Sequence, residues 1–286
     1  MRPMEPRELS VTHDGLSIAA LDWGGDGPPL LLQHPNGFCA GVFNPLAQAL
    51  HDVHRVIAVD VRGHGASDAP ADLAACSFLN AARDVLAVLD DLALDQVVAL
   101  GQSLGGGAVV ILDALRPGIV RKALLCEAIA FETPPGGRTG KGPMSEAARR
   151  RRRVWPDRAT VLESYGSRSP LDEMEPDVLA AYVRWGFRDR ADGAVELACA
   201  PDVEARFIEA AFEPDGAPFA FAHLPALEAR VPVTVVSSEG TNLPQDMFVE
   251  HARRSGGAHH RVEGTHFFVQ EDTEAAAALV RAHLSW

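Results

Sequence analysis

The chain has 286 residues, 47% hydrophobic and 23% charged, a composition that suits one large α/β domain or two small ones with a sizeable core. A formal net charge of −13 opposes a nucleic-acid or anionic-membrane partner, since both reward positive fields. Cys39, Cys76, Cys126 and Cys199 are scattered without zinc-ligand spacing or a disulfide framework, so reduced thiols in a cytoplasmic protein are expected.

Met1–Ser10 carries Arg, Glu and Pro where a signal peptide needs an apolar run, and no stretch has the apolar length that spans a bilayer. Short strands are predicted over Glu8–Thr12, Ser17–Trp23 and Pro29–Gln33, split by Asp14-Gly15 and by the Gly24–Pro28 turn. Leu30-Leu31-Leu32 is apolar without alternation, as a central strand covered on both faces should be. It ends at His34-Pro35-Asn36-Gly37-Phe38. An amphipathic stretch, Val42–His51, leads to a second buried strand, Arg55–Val59, and then to the polar, glycine-rich Asp60–Asp68. Phe78–Leu92 has helical spacing, with Leu79, Ala82, Leu86 and Leu89 on one face. Val97–Leu100 reads as a strand, Leu104 onward as a helix closed by Pro117-Gly118, and Val120–Cys126 as a strand ending at Glu127. This alternation predicts a doubly wound, mostly parallel sheet with its reacting groups at the carboxyl ends of strands.

The pattern changes near Phe131. Thr133–Gly137 is a linker signal, and helical stretches follow at Ser145–Val154, Ala159–Tyr165, Pro176–Trp185 and Val203–Phe212. Strand-like sequence resumes at Val231–Val236, followed by a helix over Asp246–Arg254, a strand over His259–Val262 and a helix over Thr273–Leu284. The expected organisation is a core of residues 1–132 and 223–286 with a helical cap, 133–222, inserted between two sheet strands. Within that cap, Arg149–Arg153 would wrap the whole circumference of a helix, because successive positions advance by about a hundred degrees. That argues for a solvated or salt-bridged helix and against a phosphate-binding face.

The chemistry centres on Gly101-Gln102-Ser103-Leu104-Gly105, a Gly-x-Ser-x-Gly between an apolar strand and a helix. The glycines leave room for a serine in a strained conformation at a sharp turn. The helix N-terminus behind it favours developing negative charge. A serine hydroxyl needs a neutral imidazole as base and a carboxylate to orient that imidazole. His266 is the base candidate among 11 histidines, because it follows the last strand in Gly264-Thr265-His266. His64 is expected to brace its own loop.

His34-Pro35-Asn36-Gly37, Asp60–Ser67, Gly101–Gly106 and Gly264–His266 together resemble the α/β-hydrolase superfamily over essentially the full chain. The resemblance implies Ser103 as nucleophile, His266 as base, and an oxyanion hole from the backbone N–H groups of Asn36 and Leu104. Most relatives carry their acid as an Asp shortly after the strand corresponding to Val231–Val236, where this chain has Thr241. A second position used in the superfamily lies after the strand that follows the nucleophile helix, and Glu127 stands there. Glu239 and Asp246 remain the competing carboxylates. Phe38, Trp155, Tyr182 and Trp185 are the candidate substrate-binding aromatics.

The expected function is hydrolysis of a carboxylic ester or lactone of a small, largely apolar molecule through a Ser103 acyl-enzyme. No cofactor or metal is implied, since neither zinc-ligand spacing nor a dinucleotide fingerprint occurs. C–C bond hydrolysis, perhydrolysis and hydroxynitrile lyase chemistry use a similar triad, and a ligand receptor that does not turn over is the rival outside enzymes. Oligomeric state is not legible.

Overall fold

The computed structural model describes residues 4–132 and 140–286; the Thr133–Gly137 linker lies outside them. The first half runs β1 (Arg7–His13), β2 (Leu16–Gly24), β3 (Pro29–Gln33), α1 (Asn44–Leu50), β4 (Arg55–Val59), α2 (Phe78–Asp91), β5 (Val97–Gln102), α3 (Leu104–Leu115) and β6 (Val120–Cys126). Then come α4 (Pro143–Arg149), β7 (Val154–Trp155), α5 (Arg158–Tyr165), α6 (Pro176–Trp185), β8 (Phe187–Asp189), β9 (Val195–Leu197) and α7 (Pro201–Ala210). The chain closes with α8 (Ala217–Leu227), β10 (Val233–Ser238), α9 (Gln245–Ser255), β11 (Ala258–Val262), α10 (Phe268–Glu271) and α11 (Thr273–His283).

Eight strands form one sheet in the order β1-β2-β4-β3-β5-β6-β10-β11. β1 and β2 are antiparallel additions at one edge, and all pairings from β4 to β11 are parallel. Parallel strands need crossovers, and the helices in those crossovers cover both faces. Leu31, Val59, Ala99, Leu125 and Val235 pack with residues of α2, α3, α8 and α9. Leu30, Leu32, Val98, Leu100, Leu124 and Val236 face the other way, toward α1 and α11. Burial on both faces explains why the central strands read as continuous apolar runs.

Between β6 and β10 the insertion is not wholly helical. β7, β9 and β8 form a three-stranded antiparallel sheet in that order. The helix expected over Ser145–Val154 ends at Arg149, so the arginine run does not wrap a helix. Arg150–Arg153 lead into β7, and Arg151 turns inward to pair with Glu204. α8 packs on α3 and α9, placing Ala220, Phe221, Leu224 and Leu227 in the core from Ala217 onward. Cys39, Cys76, Cys126 and Cys199 are free and buried. Among the described residues no helix is long and apolar enough to cross a membrane.

The backbone is closely fitted where α3 starts. A Cβ on Gly105 would sit 2.2 Å from the Gln33 carbonyl oxygen at the end of β3, and one on Gly101 would sit 2.6 Å from the Gly105 carbonyl oxygen. Gly105→Ala must push α3 off the sheet. Overpacking of this kind typically costs about 1–3 kcal/mol. Its urea midpoint should fall accordingly; an unchanged midpoint would contradict the fit described.

Candidate active site

Ser103 sits between the end of β5 and the first turn of α3 with φ 56° and ψ −120°. A non-glycine residue in that region carries strain of order 1–3 kcal/mol unless its surroundings hold it there. Here the Ser103 N–H donates to the Cys126 carbonyl (2.9 Å), and the Ser103 carbonyl accepts from the N–H groups of Ile129 (2.9 Å) and Gly106 (3.0 Å). The turn is thereby tied to the exit of β6. Leu104 is the first residue of α3, so its N–H is among the donors that a helix leaves unpaired.

Glu127 is the residue after β6, fully buried, with φ 45°. Its Oε1 accepts from the Ser238 N–H (2.7 Å) and the Ser238 hydroxyl (2.7 Å). Its Oε2 accepts from the Thr241 hydroxyl (2.6 Å) and pairs with His266 Nδ1 (2.5 Å). Burial pushes the carboxyl upward, but bonds from His266, Thr241 and Ser238 outweigh it and hold the group below the ordinary glutamate value of 4.5. An ionised carboxylate only accepts, so His266 carries its proton on Nδ1 and leaves Nε2 as the basic nitrogen. Glu239 and Asp246 are exposed, and neither bonds to His266.

His266 is also held through its backbone. Gln102, one residue before Ser103, donates from Nε2 to the His266 carbonyl (3.0 Å) and to Gln270 Oε1 (3.0 Å), and Gln270 Nε2 donates back to Gln102 Oε1 (2.8 Å). Both glutamines are buried, so the strand bearing the serine is latched to the loop bearing the histidine. Sequence reasoning missed this latch and the Ser238 donors. The only sequence signal was a polar residue flanking the serine, which many roles could produce.

Asn36 lies in the turn after β3. The Gly37 N–H donates to His64 Nε2 (3.0 Å), and the Val61 N–H donates to His34 Nε2 (3.0 Å). Both rings are buried and accept on Nε2, which places their protons on Nδ1, facing the Pro35 carbonyl from His34 and the Arg62 carbonyl from His64. Among the described residues the Asn36 N–H has no partner. His64 thus braces the Asn36–Gly37 turn as well as its own loop.

The four candidate binding aromatics separate. Phe38 packs on Tyr182 and Phe267, with ring centroids 4.7 and 5.2 Å away. Trp155 is buried in the insertion against Tyr165, and Trp185 covers Gly41. None of the four lines the apolar groove of about 520 Å³ formed by Ile129, Phe131, Phe212, Phe221, Leu243 and Met247. Its lining includes Ile129, whose N–H holds the Ser103 carbonyl, and the carboxylates Glu132, Asp246 and Glu250. Among the described residues no group of three or more His, Cys, Asp or Glu side chains is arranged to hold a metal ion.

Residues 28–162 match the family model described as alpha/beta hydrolase fold. A non-heme chloroperoxidase of Streptomyces lividans is 39% identical over 122 residues, which is 42% of this chain and 44% of that protein. Uncharacterised relatives in Mycobacterium tuberculosis are matched over only 30% of their length. Among solved structures, the thioesterase domain from the curacin biosynthetic pathway superposes with a TM-score of 0.79 at 18% identity, over 96% of this chain and 99% of that one. The enol-lactonase from Burkholderia xenovorans LB400 gives 0.73 at 22% identity, over 98% and 100%. At these identities the structural likeness shows the fold.

Burial lowers His64 to about 3, with His34 beside it adding to the effect, so the ring is neutral when folded. Its free value is near 6.5, so the unfolded chain binds one more proton between the two values. The stability this ring secures is complete above that free value and is lost as pH falls toward the folded one. His64→Gln should therefore flatten the acid side of the stability profile by about 1.4 kcal/mol per pH unit between pH 6 and 4. Urea unfolding of both proteins across that range measures it, and parallel profiles would show that His64 is charged in the folded protein.

Proposed function

Starting from the match of residues 28–162 to the alpha/beta hydrolase fold, we propose that this protein hydrolyses a carboxylic ester or lactone of a small, largely apolar molecule through an acyl-enzyme on Ser103. The observation that carries the reading is the 2.5 Å contact between His266 Nδ1 and a buried Glu127 whose remaining lone pairs are occupied by Ser238 and Thr241. That arrangement fixes the tautomer a serine nucleophile needs and stabilises the imidazolium formed as it attacks.

In the first half-reaction His266 Nε2 takes the Ser103 proton as Oγ bonds to the substrate carbonyl carbon. The carbonyl π-electrons move to oxygen, where the N–H groups of Asn36 and Leu104 meet the negative charge. Donors placed at that position are worth on the order of 3 kcal/mol each. Collapse of the tetrahedral adduct breaks the C–O bond, and His266 gives its proton to the leaving alkoxide. Water then repeats the sequence on the acyl-serine, releasing the acid and restoring the hydroxyl. The groove at Ile129 is lined mostly by apolar side chains, and two of its three carboxylates, Glu132 and Glu250, pair with Arg254, which supports an uncharged apolar substituent.

A fluorophosphonate probe should label Ser103 stoichiometrically, and Ser103→Ala should abolish labelling and turnover of p-nitrophenyl butyrate. Turnover by a wild-type protein that resists the probe would place the nucleophile elsewhere. Activity should survive EDTA; a loss restored by added metal would overturn the metal-free mechanism.

Glu127→Gln keeps shape and removes charge. It should lower kcat by up to ~10⁴, the scale of an Asp-to-Asn change in a serine protease triad. Glu239→Gln and Asp246→Asn should stay within about tenfold, or about 1.4 kcal/mol of barrier. A silent Glu127→Gln beside a crippled Asp246→Asn would reassign the acid.

A further inference from the structure

We propose that Tyr182, in the insertion, is a positioning residue for the oxyanion donor, so that seating of the insertion and stabilisation of the transition state are coupled. The inference rests on the acyl-enzyme reading above and deepens it. In a planar trans peptide the C=O and N–H point in opposite directions, so anchoring one aims the other. The donor peptide is Pro35–Asn36, and its carbonyl is held by His34 Nδ1 (2.9 Å) and the Phe38 N–H (3.3 Å). The next peptide is held by His64 through the Gly37 N–H (3.0 Å). The third is held from the insertion: the Tyr182 hydroxyl donates to the Gly37 carbonyl (2.9 Å).

The direction of that last bond follows from its neighbour. Arg151 donates from Nη2 to the Tyr182 oxygen (3.1 Å) and to the Tyr165 oxygen (3.1 Å), and a guanidinium never accepts. The Tyr182 proton is therefore free to go to Gly37. Glu204 pairs with Arg151, and its backbone carbonyl takes the Asn36 side-chain amide (2.9 Å). Gly37 itself adopts φ 79°, a conformation that glycine holds without a steric penalty and without preference, so external anchors decide it. The Tyr182 ring is 1% exposed, sealed behind Phe38, so the side chain acts through the turn and not by touching substrate.

Tyr182→Phe keeps the ring and removes the donor. With p-nitrophenyl butyrate, kcat should fall about tenfold with KM within twofold, below the 10²–10³ loss for deleting an oxyanion donor outright. Affinity for an alkyl trifluoromethyl ketone, whose adduct carries the oxyanion, should fall by the same factor as kcat/KM. Tyr165→Phe, which touches Arg151 and not the turn, should stay within twofold on both measures, and thermal midpoints are read for all three proteins. An unchanged kcat in Tyr182→Phe, a raised KM with intact kcat, or an equal loss in Tyr165→Phe overturns the proposal. Fluorophosphonate labelling of wild-type Ser103 separates the two readings. A protein that neither labels nor turns over sinks both, whereas an active wild type matched by Tyr182→Phe sinks this one alone.

Discussion

A carboxylate with no exposure to water is the constraint around which the site is arranged. Removing Glu127 from solvent carries a penalty of several kcal/mol unless its lone pairs are met, and leaving one partner out costs more than any single bond returns. Its four partners come from the end of β10, the loop after it and the loop after β11. The sheet delivers them. Gln102 stands beside Cys126, Cys126 beside Val236, and Ser238 beside Val262, so the serine, the acid and the histidine loop leave neighbouring strand ends at one level. Strand order and register, set by apolar burial on both faces, thus become the geometry of a hydrogen-bond set.

The other side of the site depends on groups kept uncharged. His34 and His64 lie 5.3 Å apart, and burial holds them near 4 and 3. A neutral imidazole has one donor and one acceptor, and each ring uses both on backbone groups of this region. Two imidazolium ions at that separation would repel each other and would lose the acceptors that Gly37 and Val61 require. Asp60 shows the complementary case: burial raises it to about 6, while the N–H groups of Ala40 and Ala66 pull it back down. Low dielectric around the turn means that few polar groups fix its shape, and fix it strongly.

Sequence legibility followed the range of the forces. β3, β4, β5, β6 and β10 were readable because burial on both faces forces an apolar run, and the serine turn because sterics force glycine at Gly101 and Gly105. β7, β8 and β9 were not, since two or three residues are too few to display a period. The arginine run misled for a related reason. Helical geometry was applied across residues that leave α4 at Arg149, and pairing with Glu204 and two tyrosines draws Arg151 inward. At the site, Thr241 was visible as a missing Asp. Its hydroxyl donates to the Glu127 carboxylate, a relation across 114 positions that no local pattern carries.

The two halves of the site therefore differ in what secures them. Serine, acid and histidine are joined through strand ends of one sheet and the Gln102–Gln270 latch, all within the main core. The Asn36–Gly37 turn is secured by two core imidazoles and by groups from the segment between β6 and β10. That segment can alter most of its packing and still serve the turn, provided that Tyr182, Arg151 and Glu204 keep their places. Its aromatic content then has a simple account. Trp155, Tyr165, Tyr182 and Phe187 pack on one another, and that small core, with Arg151 bonded to both tyrosine hydroxyls, gives the Tyr182 phenol the rigidity it needs to reach the Gly37 carbonyl.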